Sequence, residues 1–294
     1  MVTIGLVGAG AMGSALGASW REGGAEIVTC LAGRSARTRE LAARAGLTMV
    51  PALEDVLRAD IVVSVVPPAD AVAVARLIAD AAGRARVQPL VADLNAVAPS
   101  TVRDAADVLR KAGIDLVDGS VSGLPPATGR RPTRVYLSGE RAGELAAIAS
   151  PWTSVTVLDG EAGQASALKM CTASMYKGTN ALVMQAMLTA DANGVLDAFL
   201  ADVATMWPDR VPSWHLDIAL AATKSGRFAD EMAEIARTQA DAGLPAELFN
   251  GVAAAFGWAA RSRLGHTPPE ELPLSPSVAE VLAGFAPGDS PWPA

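Results

Sequence analysis

The chain opens with an apolar run, Met1 to Val7, that leads directly into the stretch GAGAMGSALG. Gly8, Gly10 and Gly13 stand in GxGxxG spacing, and an Ala-rich segment with helical periodicity follows over 11–22. This order, apolar strand then glycines then helix, constrains the fold more than any other feature. The first glycine permits a tight turn, the second lets backbone approach a pyrophosphate, and the third lets the helix pack closely on the strand. The helix N-terminus then offers N–H groups to an anion. The stretch reads as a dinucleotide-binding turn in which Gly8, Gly10, Ala11, Met12 and Gly13 face the pyrophosphate. The plain alternative is a Gly-rich turn that holds nothing.

The same alternation continues. Runs at 2–7, 26–31, 60–66, 90–94, 115–117 and 135–138 read as strands, with helical patterns at 11–22, 37–45, 69–82 and 100–112 between them. Strands alternating with helices imply an α/β domain whose parallel sheet is covered on both faces. After Gly160 the strand signals stop, and the segments 162–193, 195–206, 212–225, 229–242, 246–264 and 277–285 read as helices. A chain of 294 residues suffices for two domains. The expected division is an α/β domain over 1–158 and an all-helical domain over 159–294, with the Pro-rich end from Pro287 frayed.

A net charge of -7 argues against a nucleic-acid or anionic-membrane partner, since both require clustered cations. Cys30 and Cys171 lie in apolar segments without a CxxC or Cys/His cluster, so neither a disulfide framework nor a metal site is expected, and a reducing cytoplasm fits. The N-terminus lacks a basic signal-peptide start, and the apolar stretch 61–82 is interrupted by Pro67, Pro68, Asp70, Arg76 and Asp80, so no membrane span is expected. His215 and His266 carry no assigned role.

The end of the second strand bears on the dinucleotide. An NAD site places an acid there for the ribose hydroxyls, whereas a 2'-phosphate requires cations and hydroxyls. The sequence reads LAGRSART, with Arg34, Ser35 and Arg37 and no acid, while Glu26 stands at the opposite end of the strand. This favours NADP(H); the alternative is that Arg34 and Arg37 only solvate a helix start. VVPPA at 65–69 ends a strand, where Pro67 and Pro68 would stiffen the loop under the nicotinamide, with Val66 and Pro67 against the cofactor, or simply terminate the strand. Asn95, just after the strand 90–94, offers an amide to cofactor or substrate, or serves a turn. The Gly/Pro/Ser-rich segment 118–140 reads as a loop joining two strands, in which Ser122 and backbone N–H groups could meet a carboxylate, or as a hairpin connection and nothing more. On the long helix, Lys169, Thr172, Ala173 and Tyr176 share one face, with Lys177 at its edge. A lysine among Ala, Leu, Met and Cys is suited to proton transfer if desolvated, and to snorkelling if it lies at the helix edge.

Taken in order, these motifs resemble the β-hydroxyacid dehydrogenase superfamily, which includes 3-hydroxyisobutyrate dehydrogenases, 6-phosphogluconate dehydrogenases and imine reductases. The similarity covers residues 1 to about 190. It implies an N-terminal Rossmann domain with a helical C-terminal domain, and Arg34 with Ser35 on the 2'-phosphate. Asn95 would lie beside the nicotinamide ribose, and Ser122 with Gly123 on the substrate carboxylate, with Thr172 and Ala173 on the substrate side. Lys169, six residues after Gly163, matches the family's catalytic lysine, with Tyr176 as auxiliary donor. The chain departs from the family at Ala173, where Asn is common, at Leu124, where a second glycine is expected, and at Lys177-Gly178, where phosphogluconate enzymes carry Tyr-Gly. The implied activity is NADP-dependent hydride transfer on a β-hydroxyacid or its keto or semialdehyde form. An imine reductase and a non-catalytic NADPH-binding protein are the alternatives. The apolar cluster Leu182, Val183, Met184, Met187 and Leu188 on the long helix implies a homodimer.

Overall fold

The computed structural model describes residues 1–146 and 150–286, so the Pro-rich end expected to fray lies outside the described residues. The chain divides into two compact units, Met1–Met170 and Cys171–Ala294.

The first unit is built on an eight-stranded sheet of order β3-β2-β1-β4-β5-β6-β7-β8. Its elements run β1 (Thr3–Val7), α1 (Ala11–Glu22), β2 (Glu26–Cys30), α2 (Ala36–Arg44), β3 (Thr48–Val50), α3 (Leu53–Val56), β4 (Ile61–Ser64), α4 (Ala71–Ala85) and β5 (Leu90–Asp93). They continue with α5 (Pro99–Arg110), β6 (Leu116–Ser122), β7 (Thr133–Ser138), α6 (Ala142–Ala146) and β8 (Thr153–Val157). Strands β1 to β6 pair in parallel, so their C-terminal ends share one edge. Neighbouring residues along a strand pack into different cores: Val63 and Ala92 join Leu6, Leu16 and Ile27 on one face, while Val62 and Val91 join Ile78 and Leu109 on the other. Burial on both faces is why these strands read as unbroken apolar runs.

Three expectations change. The sheet is not wholly parallel: β7 runs antiparallel to β6, and β8 pairs parallel with β7. Strands β3 and β8 carried no clear signal, one because it is three residues long and the other because it exposes much of its surface at the sheet edge. In the segment 118–140, strand takes 118–122 and 133–138, and the connection between them is confined to 123–132. Asp118 and Gly119 argue against a strand by composition, yet a Cβ on Gly119 would lie 2.2 Å from Leu94 Cδ2 and 3.0 Å from Leu137 Cδ2, so a side chain there would require these leucines to shift.

The long helix α7 (Gln164–Ala192) opens in the first unit and continues into the second. The units meet at 170/171, twelve residues beyond the expected 158, because the first turns of α7 are tied to β6 and β7. The second unit adds α8 (Leu196–Met206), α9 (Trp214–Ala222), α10 (Ser225–Asp241), α11 (Glu247–Ala259), α12 (Arg263–His266) and α13 (Val278–Ala283). The helix expected over 246–264 is therefore two, broken where Ser262 Oγ accepts Gly265 N to cap α12. Val183, Met184 and Met187 are buried against Val203, Ile218, Ala259 and Phe285 within this unit, leaving Leu182 exposed. The apolar face of α7 is thus largely covered without a second chain.

Candidate functional site

The C-terminal edge of the sheet gathers most of the residues singled out from the sequence. At the end of β1, Gly8 has φ +98°, and a Cβ on it would stand 2.2 Å from Val65 O. A Cβ on Gly13 would stand 2.1 Å from Gly8 O, whereas Gly10 faces open space. The first backbone bond of α1 runs from Ser14 N to Gly10 O at 2.8 Å, and no side chain caps this end. The N–H groups of Ala11, Met12 and Gly13 therefore have no acceptor within the helix. Two glycines closed by backbone, one open to a ligand, and an uncapped helix start fit the pyrophosphate of a dinucleotide.

At the end of β2, Gly33 turns the chain with φ +71° and leaves Arg34, Ser35 and Arg37 exposed. Ser35 also caps α2, its Oγ accepting Thr38 N at 3.2 Å. The residues between β2 and α2 are polar and cationic, with no carboxylate in the 31–38 stretch.

Asn95, just past β5, is 2% exposed. Its Oδ1 accepts Val66 N at 2.6 Å and its Nδ2 donates to Ser64 Oγ at 3.3 Å. The amide thus fixes the loop that carries Val66 and Pro67. Beneath it, a buried polar row crosses four strands in register, Ser64, Asp93, Asp118 and Ser138, none more than 3% exposed. Burial pushes the Asp93 carboxyl up to about 7; the bond from Asn95 N opposes the rise and the charge of Asp118 adds to it.

Asp118 accepts four hydrogen bonds. Ser138 Oγ and Gly163 N donate to Oδ2 at 2.8 Å, Ser166 N donates to Oδ2 at 3.0 Å, and Ser166 Oγ donates to Oδ1 at 2.6 Å. Ser138 Oγ in turn accepts Ala165 N at 3.0 Å. A carboxylate on β6 and a hydroxyl on β7 thus satisfy the free N–H groups at the start of α7. One turn later Lys169, partly buried, donates from Nζ to Val121 O at 2.8 Å. Lys169 is held against β6 next to Ser122, the last residue of that strand. Gly123 follows with φ +126°, a conformation that suits glycine.

Thr172, Ala173 and Tyr176 belong to the second unit. Ala173 is fully buried, Thr172 is exposed, and Tyr176 is half exposed with its phenol pushed up by burial, against the charge of Arg227. The second unit also contains a group that sequence reasoning missed. Lys177, placed at the edge of the helix face by periodicity, is buried and paired with buried Glu231. Its Nζ lies 4.1 Å from the centre of the Phe228 ring, and Arg227 Nε reaches Glu231 Oε1 at 3.2 Å. The signal available was Glu231 itself, set among Phe228, Met232 and Ile235 on the apolar face of α10. Among the described residues no group of three or more His, Cys, Asp or Glu is arranged to hold a metal ion, and no helix is long and apolar enough to cross a membrane.

Comparison with known proteins agrees with this geometry. Residues 3–143 match the NAD binding domain of 6-phosphogluconate dehydrogenase, and residues 190–258 match a domain of unknown function. The structure is similar to that of the conserved protein MTH1747 of unknown function, described as structurally similar to 3-hydroxyacid dehydrogenases. The two are 27% identical, with a TM-score of 0.66, over 88% of this chain and 97% of that one. It is also similar to 3-hydroxyisobutyrate dehydrogenase of Mycobacterium tuberculosis, solved with L-serine, at 19% identity and TM-score 0.67 over 88% and 94% of the two chains. An imine reductase variant of Myxococcus stipitatus, solved with NAD+, shares the fold at 20% identity and TM-score 0.58 over 88% and 92%.

Proposed function

We propose that the chain is a β-hydroxyacid dehydrogenase-like protein, an NADP-dependent oxidoreductase acting on a small β-hydroxyacid or the corresponding keto or semialdehyde form. The observation that carries this reading is Lys169, held on Val121 O beside Ser122 at the sheet edge where the glycine turn also lies. Bound there, the nicotinamide supplies or accepts the hydride. The chain's own residues hold the reactants and move the proton. The uncapped start of α1 takes the pyrophosphate, and Asn95, through Val66, sets the loop beneath the ring. Arg34 with Ser35 and Arg37 takes the 2'-phosphate, a preference supported by the absence of an acid in this stretch. Lys169 gives a proton to the substrate oxygen as the carbonyl is reduced and takes it back as the alcohol is oxidised, and its positive charge favours the developing alkoxide. Ser122 and Gly123 hold the substrate carboxylate. Tyr176, seven residues further along α7, is the proposed auxiliary donor, with exposed Thr172 proposed on the substrate side; Ala173, expected there too, has no exposed surface to offer a substrate. A second copy of the chain is proposed to cover exposed Leu182, which a solution mass would test.

Two titrations and two variants test this reading. The protein should bind NADPH in preference to NADH, and Arg34→Ala should abolish that preference. Lys169→Ala should lower turnover of hydroxy or keto acids by roughly 10²- to 10⁴-fold with NADPH affinity unchanged. Near-normal turnover in Lys169→Ala would remove the lysine from the chemistry. Tight NADPH binding without turnover of any substrate would leave a non-catalytic nucleotide-binding protein.

A further inference from the structure

Ser122 and Arg134 face one another in register on the antiparallel strands β6 and β7, so their side chains leave the same face of the sheet. Arg134 Nη2 donates to Ser122 Oγ at 3.4 Å. The residue before Ser122, Val121, accepts Lys169 Nζ through its carbonyl. A serine hydroxyl thus meets a guanidinium at the C-terminal end of β6, one residue after the carbonyl that holds the Lys169 ammonium.

The other arginines that make ion pairs in this unit have a carboxylate: Arg84 has Glu54, Arg110 has Asp107, and Arg141 has Asp115 and Glu144. Among the described residues Arg134 makes no ion pair, and its hydrogen-bond partner is the Ser122 hydroxyl. That bond directs one N–H onto the lone pairs of Ser122 Oγ, which leaves the hydroxyl proton free to point outward. The guanidinium has further N–H donors in its fork. One outward O–H and one planar fork match the two oxygens of a carboxylate.

We propose that Arg134 is a specificity-determining residue: with Ser122 it takes the carboxylate of the substrate, and so selects hydroxy or keto acids over neutral alcohols, ketones and imines. The inference rests on the reading of Lys169 as the proton-transfer group and deepens it, since an anion held at Ser122 sets the rest of the molecule against Lys169.

The test compares NADP-dependent turnover of matched small β-hydroxy acids, their uncharged amides and the corresponding alcohols by the wild type, Arg134→Gln and Arg134→Lys. Arg134 is exposed, so the variants should keep the thermal stability and the NADPH affinity of the parent. Expected is a preference of the wild type for the acids, a loss of about tenfold or more in kcat/KM for acids in Arg134→Gln, carried mainly by KM, and no change for the amides. Arg134→Lys, which keeps the charge and loses the fork, should fall between the two. Equal activity of Arg134→Gln and wild type on the acids would overturn the role of Arg134 and leave the hydroxyacid reading standing, as would an equal loss on acids and amides. Turnover confined to neutral carbonyl or imine compounds, or of no acid at all, would overturn both.

Discussion

Replacing Asp93 by asparagine removes a titratable proton from the middle of the buried row and leaves its geometry in place, because the amide oxygen can still accept Asn95 N, now 2.8 Å from the carboxylate. Burial, with help from the charge of Asp118 and against the bond from Asn95, moves the Asp93 carboxyl from its ordinary 3.8 to about 7. Between those values the unfolded chain has released this proton while the folded chain keeps it. The folded state therefore binds more protons, and its stability falls as the pH rises through the window, then levels off. At about 1.4 kcal/mol per tenfold change, the full passage is worth about 4 kcal/mol in wild type. Asparagine has nothing to ionise. The stability of Asp93→Asn relative to wild type should therefore increase by about 3 kcal/mol between pH 4.5 and pH 8. Urea unfolding followed by circular dichroism at the two pH values reads this difference directly. A stability gap that is the same at both, or a variant less stable than wild type at pH 8, would refute the account of Asp93 as a carboxyl held protonated by burial.

Further outcomes follow from the same structure. Asp118→Asn exchanges charge-assisted bonds at the start of α7 for neutral ones, and should cost about 2 kcal/mol in urea unfolding. If this end of α7 positions Lys169, kcat on the identified substrate should drop about tenfold with NADPH affinity unchanged; full turnover would separate Asp118 from the site. The same variant should lower the Asp93 carboxyl, visible as a downward shift of the pH window described above. Lys177→Met strands Glu231 without its buried partner and should lose about 3–5 kcal/mol. Lys177→Met with Glu231→Leu should recover most of that loss in thermal unfolding, since Arg227, 57% exposed, can turn to water. A double variant as unstable as the single one would show that the charge of Lys177 is needed for something besides its pairing.

How much of this was legible in the sequence depends on whether the interaction is local. The glycine turn, α1 and the parallel strands are encoded within a few consecutive residues, and α1 runs over the expected 11–22. Lys169 was legible for the same reason, since a charged residue inside an apolar helical period stands out wherever the helix packs. Asn95 was found as a residue, but its amide is engaged on Val66 and Ser64, an arrangement set by strand order and not by neighbours in sequence.

The buried row marks where such reading stops. Ser64, Asp93, Asp118 and Ser138 lie far apart in the chain, and each alone looks like a polar strand end or a turn. They meet because register places them side by side across β4, β5, β6 and β7. Composition even misdirects here, since the Asp-Gly-Ser of 118–120 argues for a loop while Gly119 packs beneath Leu94 and Asp118 accepts the N–H groups at the start of α7. The polar atoms that break the strand pattern are the ones that fasten the helix carrying Lys169. A strand that looks poorly formed by propensity, lying between a clear sheet and a helix with an inward-facing lysine, is therefore a place to search for the groups that hold that helix. The mismatch between local preference and observed structure is itself the signal.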